Sequence, residues 1–237
     1  MRLFGMPDDI LRKVSANAPE VYSILTAVRN DIEPCKREVT YYQAGVLYAL
    51  AKRYNVEKTH ILEIGTARGF SAAILARAAT LADIVTLNPK KKEYPIAVAN
   101  MARPAYHRVT VVQMKSWDYL AQYTGPMLDM VFVDGDHGKV AWDFPWWNWL
   151  KPGGLMLFHD YTPMRAGRPC QPAYEAIDAL QDGLDRDFDV LVVDDDDVGM
   201  AGFYKREDER LPKLDVDELL WHFNEDYMEW RRGVGTD

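Results

Sequence analysis

From His60 onward, short apolar runs alternate with helix-forming segments, and no other feature of the chain limits its fold as strongly. Ile61–Ile64, Ile84–Leu87, Val109–Gln113, Met130–Asp134 and Leu155–His159 read as strands. Ser71–Ala79, Glu93–Met101, Trp117–Tyr123, Val140–Leu150 and Ala173–Leu184 read as the helices that follow them. Repeated strand–helix units predict a doubly wound α/β sheet, mostly parallel and with helices on both faces. Ligands of such sheets sit beyond the carboxyl ends of the strands. The rhythm breaks at Phe188–Val193 and Val198–Tyr204, which are joined by Asp194 to Asp197 with Gly199 close behind. That spacing predicts a hairpin and an antiparallel last strand.

The strand ends carry the chemistry. Ile61-Leu62-Glu63-Ile64-Gly65-Thr66-Ala67-Arg68-Gly69-Phe70-Ser71 is an apolar run that ends in an acid and then turns on two glycines into an alanine-rich helix. Without side chains at Gly65 and Gly69 the backbone can turn sharply and approach a ligand, and the helix start offers N–H groups to a carboxylate or phosphate. Two further runs close on polar residues: Val133-Asp134-Gly135-Asp136-His137 and Phe158-His159-Asp160-Tyr161. Three strands thus end in functional groups on one edge.

The 237 residues, 48% of them hydrophobic, fit one domain. Residues 1–58 read as a helical flank, 59–206 as the core and 207–237 as a C-terminal helix. The flank holds helical patterns near Asp8–Val28 and Thr40–Tyr54, the second with Val46, Leu47, Leu50 and Tyr54 on one face. In the last segment Leu219, Phe223, Tyr227 and Trp230 form a stripe that would pack on the body or on another subunit of a homo-oligomer. A net charge of −8 argues against a nucleic-acid partner, whose phosphates call for Lys and Arg, and favours a small-molecule ligand. Cys35 and Cys170 belong to no metal-binding pair and read as reduced thiols. With no basic-then-apolar leader and no apolar run of the ~20 residues a membrane span needs, the expectation is a soluble, cytoplasmic protein without a membrane partner.

Taken together, these motifs resemble the class I S-adenosylmethionine-dependent methyltransferases, a Rossmann-like family, and especially the small-molecule O-methyltransferases with an Asp-Gly-Asp-His turn; the similarity covers roughly Thr40 to Lys205. The resemblance implies S-adenosylmethionine as cofactor, with Gly65, Thr66, Gly69 and Ser71 around its methionine part. Glu63 would either anchor the glycine loop or touch the cofactor directly. Ser116 and Trp117 match the adenine side, and Asp134 lines the cofactor crevice. The second strand departs from the family: Val85-Thr86-Leu87-Asn88-Pro89 ends without the usual acid, so Asn88 or Thr86 would meet the ribose hydroxyls, and Lys115 stands where an acid is common beside the adenine. An amide can pair with a diol, although charge-assisted bonds are stronger.

The same resemblance implies a divalent cation, magnesium or another, on Asp134, His159 and Asp160, a set in which the histidine favours manganese, iron or zinc. The plainer reading makes Asp134 a helix cap and His159-Asp160 the lining of a wet cleft. The catalytic base would be Asp136 or His137. The implied reaction is methyl transfer to an oxygen of a small hydroxylated acceptor. The rivals are a different metal-assisted enzyme on this scaffold, or a degenerate cofactor-binding or interaction module. Trp142, Trp146, Trp147 and Trp149 read as core and interface anchors rather than a stacking platform. His60, His107 and His222 read as surface or core residues. The loop Thr162–Pro172 reads as a specificity element, the four-aspartate run as a solvated turn, and Lys90-Lys91-Lys92 as an exposed helix start.

Overall fold

The apolar runs of the sequence become strands of a single sheet, and the computed structural model describes residues 3–4, 18–32, 39–161, 171–192 and 199–214. Strand β1 (Leu3–Phe4) precedes helices α1 (Ala18–Asp31) and α2 (Tyr41–Ala51), the latter continued by a 3-10 turn over Lys52–Tyr54. The core then runs β2 (His60–Ile64), α3 (Phe70–Ala78), β3 (Asp83–Leu87), α4 (Tyr94–Met101), β4 (Val109–Val112), α5 (Ser116–Ala121), β5 (Leu128–Val133), a 3-10 helix (His137–Trp149) and β6 (Leu150–His159). Helix α6 (Gln171–Leu184), β7 (Val190–Val192) and β8 (Met200–Tyr204) complete it.

The strand order is β1-β7-β8-β6-β5-β2-β3-β4. Strands β2 to β6 pair in parallel, and β8 runs antiparallel between β6 and β7, as the hairpin reading expects. The two-residue β1, antiparallel on β7, is an edge that the sequence pattern does not announce. From β2 the chain winds outward to β3 and β4 and then returns to lay β5 and β6 on the other side. The winding therefore reverses between β2 and β5, and a crevice opens at such a point beyond the strand ends.

Strand side chains alternate between two cores. Ile61, Ile84, Met130, Phe132, Leu155 and Leu157 pack with Leu25 of α1, Leu47 of α2 and Ile74 of α3. Leu62, Val131, Val133, Met156 and Phe158 pack on the other face with Trp146, Trp147 and Ile177 of α6. The N-terminal helices are thus one layer of the domain, and α2 lies directly against α3.

Two expectations need correction. Residues 140–150 do not form an α-helix: the chain is a 3-10 helix kinked at Lys139 (φ −137°, ψ 15°), because Pro145 cannot donate the bond a continuous helix needs and three bulky tryptophans follow within four residues. Strand β6 begins at Leu150 rather than Leu155, since Leu150 pairs with Leu128 before an irregularity restores register at Leu155 and Met130. Part of the Asp8–Val28 pattern, both cysteines, the aspartate run, most of the Thr162–Pro172 loop and the C-terminal stripe lie outside the described residues. Among the described residues no helix is long and apolar enough to cross a membrane.

Candidate functional site

At the reversal point the backbones of β2 and β5 nearly touch. Asp134 N–H donates to the Ile64 carbonyl at 2.8 Å, and a methyl group on Gly65 would overlap the Asp134 carbonyl oxygen. Gly65 (φ +108°) and Gly69 (φ +99°) both lie in the left-handed region, where a side chain adds strain. The loop between them is tied to β3: Gly65 N and Thr66 N both donate to the Leu87 carbonyl at 3.1 Å. Gly69 caps α3, whose first turn carries the buried Ser71.

Glu63 is fully buried, and Thr86 Oγ1 donates to its Oε2. The Thr86 and Thr66 hydroxyls are 2.5 Å apart, so a hydroxyl relay joins the acid to the glycine loop. Such a relay is what anchoring the glycine loop requires. Glu63 Oε1 is buried and makes no hydrogen bond of ordinary geometry, although the Ser71 hydroxyl is near enough to favour the charged form. Burial pushes Glu63 up to about 7, against the pull of Ser71 and Thr86.

Asn88, at the end of β3, braces the same loop. Its Nδ2 donates to the Ala67 carbonyl at 2.6 Å and its Oδ1 accepts the Lys90 N–H at 3.0 Å. Its second amide hydrogen and second lone pair are what remain for a ligand. Thr86, the other ribose candidate, is buried with its hydroxyl turned to Glu63 and Thr66.

Ser116 opens α5 but points inward: its hydroxyl donates to Asp143 Oδ1 and accepts from Trp146 Nε1 at 3.1 Å. Burial pushes Asp143 up to about 7, with the Ser116 bond opposing. Beside it Trp117 meets Trp142 edge-on at 4.5 Å between ring centroids, and the ammonium groups of Lys115 and Lys139 lie 5.3 and 5.4 Å from the Trp117 ring. Lys115 therefore directs its charge onto an aromatic face. Trp146 and Trp147 are core residues, as expected, while Trp142 and Trp149 are half-buried.

The ends of β5 and β6 bring Asp134, His159 and Asp160 together, each offering one ligand atom with all three within 4.8 Å of one another. His159 is 8% exposed. Its Nδ1 faces Asp134 Oδ1 at 3.3 Å and Asp160 Oδ1 at 3.2 Å, at angles that make neither a hydrogen bond. Its Nε2 lies 3.1 Å from Gln43 Oε1 of α2. Asp160 occupies the left-handed region at φ +63°, a costly conformation for a non-glycine residue that recurs at functional sites. The β6–β8 pairing and the Tyr161 N–H bond to the Gly199 carbonyl hold it there.

His137 joins this cluster through an Nε2 to Asp160 Oδ2 contact of 2.6 Å. Asp136 does not: its side chain is 51% exposed, caps the following turn through Gly138 N at 3.2 Å and lies 4.0 Å from Lys139. Burial alone would lower both histidines, but the carboxylates of Asp160 and Asp134 outweigh it and hold both above the usual range, His159 well above. Burial likewise raises Asp134, whereas for Asp160 the two histidines overcome burial and hold the carboxyl well below the usual range.

Gln43 and Asp143 escaped the sequence reading. Thr40-x-x-Gln43 is a legible capping box, in which Thr40 Oγ1 accepts from Gln43 N at 3.2 Å and Thr40 N donates to Gln43 Oε1 at 2.8 Å, but the motif announces a helix start only. Asp143 is hidden inside an aromatic run.

Residues 62–161 match the family described as "Methyltransferase domain" (Methyltransf_24). Over 107 residues, 44% of this chain, the sequence is 37% identical to the catechol O-methyltransferase of Mycobacterium tuberculosis, and the chain spans 49% of that relative's length. Among solved structures the fold is similar to an O-methyltransferase from Bacillus cereus in complex with SAH (21% identity, 80% of this chain and 91% of that one, TM-score 0.59). It is also similar to TomG from Streptomyces achromogenes, an O-methyltransferase of tomaymycin synthesis in complex with SAM (20% identity, 79% and 90%, TM-score 0.60). At such identities these structures share the fold. The domain match covers the glycine loop and both acidic strand ends, so the part of the chain similar to a methyltransferase domain is the part that builds the site.

Proposed function

We propose that this protein transfers a methyl group from S-adenosylmethionine to an oxygen of a small hydroxylated acceptor, with a divalent cation at Asp134, His159 and Asp160. The observation that carries this reading is the orphaned, buried Nδ1 of His159 facing two carboxylate oxygens beside the glycine loop. A cation there would take the place of the ring proton between His159 and the two carboxylates, and the donor set of one nitrogen and two oxygens suits a borderline divalent metal. When bound, such an ion supplies orientation and acidification of the acceptor hydroxyl. The relatives named above, which act on or are solved with the corresponding ligands, support the cofactor and the oxygen acceptor.

The chain's own residues would do the following. Gly65 and Gly69 let the loop backbone close on the methionine part of the cofactor, Glu63 and Asn88 hold that loop in place, and Trp117 walls the adenine side. Asp160 orients His137 through Nε2, leaving Nδ1 to take the acceptor proton. When bound, S-adenosylmethionine would supply the methyl group to the acceptor oxygen, with the electron pair of its carbon–sulfur bond going to sulfur. Positioning supplies most of the rate. His137 is a better base than Asp136, whose carboxylate is spent capping a turn at the surface.

Single-turnover methyl transfer to a catechol probe with manganese(II) present tests both parts. His137→Ala should lower the rate by ~10² to 10⁴ and Asp136→Asn by far less. The reverse order would return the role to Asp136.

A further inference from the structure

Gln43 belongs to α2, outside the strand ends that carry the polar cluster, and its role follows from hydrogen-bond polarity. The Thr40 backbone N–H can only donate, so the atom it meets at 2.8 Å is the carboxamide oxygen of Gln43. The same oxygen lies 3.1 Å from His159 Nε2, and an oxygen that already accepts one hydrogen bond can be met there only by a protonated ring nitrogen. With Nε2 bearing hydrogen, Nδ1 is the imidazole's ligating nitrogen, and it is the atom turned toward Asp134 and Asp160. Gln43 is itself fully buried, so water does not compete for this contact.

We propose that Gln43 is a positioning residue for the cation: its oxygen, pinned by the backbone of Thr40, fixes the ring of His159 so that Nδ1 ligates, and this one nitrogen gives the site a preference for manganese-like ions over magnesium or calcium. The inference rests on the reading of Asp134, His159 and Asp160 as a cation site. It makes the capping turn of α2 part of the metal's outer shell, so an element distant in sequence from all three ligands sets which ion they hold. Groups of this kind commonly change metal affinity by about 10–100-fold when removed.

The test uses the full chain and manganese(II) titrations followed by the electron paramagnetic resonance of the free ion, repeated with competing magnesium. Gln43→Leu should weaken manganese binding by about 10–100-fold and magnesium binding less, shrinking the preference between them. A folded Gln43→Leu with wild-type affinity and preference overturns the inference while leaving the cation reading intact. A wild-type chain that takes up no manganese overturns both. A further measurement needs no variant: nitrogen-15 histidine spectra of the zinc-loaded protein should report His159 protonated at Nε2, and the opposite tautomer overturns the proposal.

Discussion

Glu63 is a buried acid whose ionisation should be visible in the stability of the ligand-free protein. Its unfolded carboxyl releases its proton near 4.5, and the folded one holds it to about 7 because burial disfavours the charge. Between those values the native state binds more protons than the unfolded state, so this group makes stability fall as pH rises, and above about 7 the loss levels off. Two and a half units correspond to about 3 kcal/mol. Asp143 shifts in the same direction, so the clean measurement is a difference: Glu63→Gln against wild type in urea unfolding at several pH values. The variant should gain on the wild type from pH 4.5 to about 7 and keep that gain at pH 8. A difference independent of pH would mean that folding does not raise the Glu63 carboxyl above its unfolded value. The position was legible because an acid at the end of an apolar strand beside a glycine loop has few structural uses. Asp143 was not, because nothing in a run of tryptophans marks the one polar side chain that Ser116 engages.

The segment between β5 and β6 separates stability from binding within one element. Trp146 is fully enclosed and donates to Ser116, whereas Trp142 is half-buried and braces Trp117 at the crevice. Trp146→Ala should cost about 3–5 kcal/mol of unfolding free energy through the cavity it leaves. Trp142→Ala should cost about 1–2 kcal/mol, the worth of an edge-on aromatic contact and a nearby ammonium. The order reverses in calorimetric titration with S-adenosylhomocysteine, where Trp142→Ala should weaken binding roughly tenfold. If a folded Trp142→Ala binds as wild type does, Trp117 needs no brace and the adenine wall lies elsewhere. This element also marks where periodicity misleads. Apolar spacing places Trp146 and Trp147 in the core correctly, but Pro145 and the kink at Lys139 turn the expected α-helix into a 3-10 helix, a local steric outcome that spacing does not encode.

At the scale of the whole molecule, the alternation of strands and helices was enough to predict a mostly parallel, doubly wound sheet and to aim three strand ends at one edge, because repeated strand–helix units leave little topological choice. What it could not supply were contacts between segments far apart in sequence: Gln43 meets His159 116 residues away, and His137 meets Asp160 through a turn whose direction depends on packing. The crevice itself is built from such contacts, since the glycine loop of β2 is held by β3 through Leu87 and Asn88 and pressed against β5 at Asp134. A ligand bound there joins three strands that reverse their winding at this point, so its binding should stabilise the fold as a whole. At 100 times its dissociation constant S-adenosylhomocysteine should add ~2.7 kcal/mol, which for a chain of this length raises the melting temperature by about 5–11 °C. Gly65→Asp should remove that rise, because its side chain would collide with the Asp134 backbone and place an anion on the path of the cofactor carboxylate. If the wild type melts at the same temperature with and without millimolar ligand, the crevice does not bind this cofactor. If instead Gly65→Asp keeps the full rise, the ligand binds away from the β2 loop.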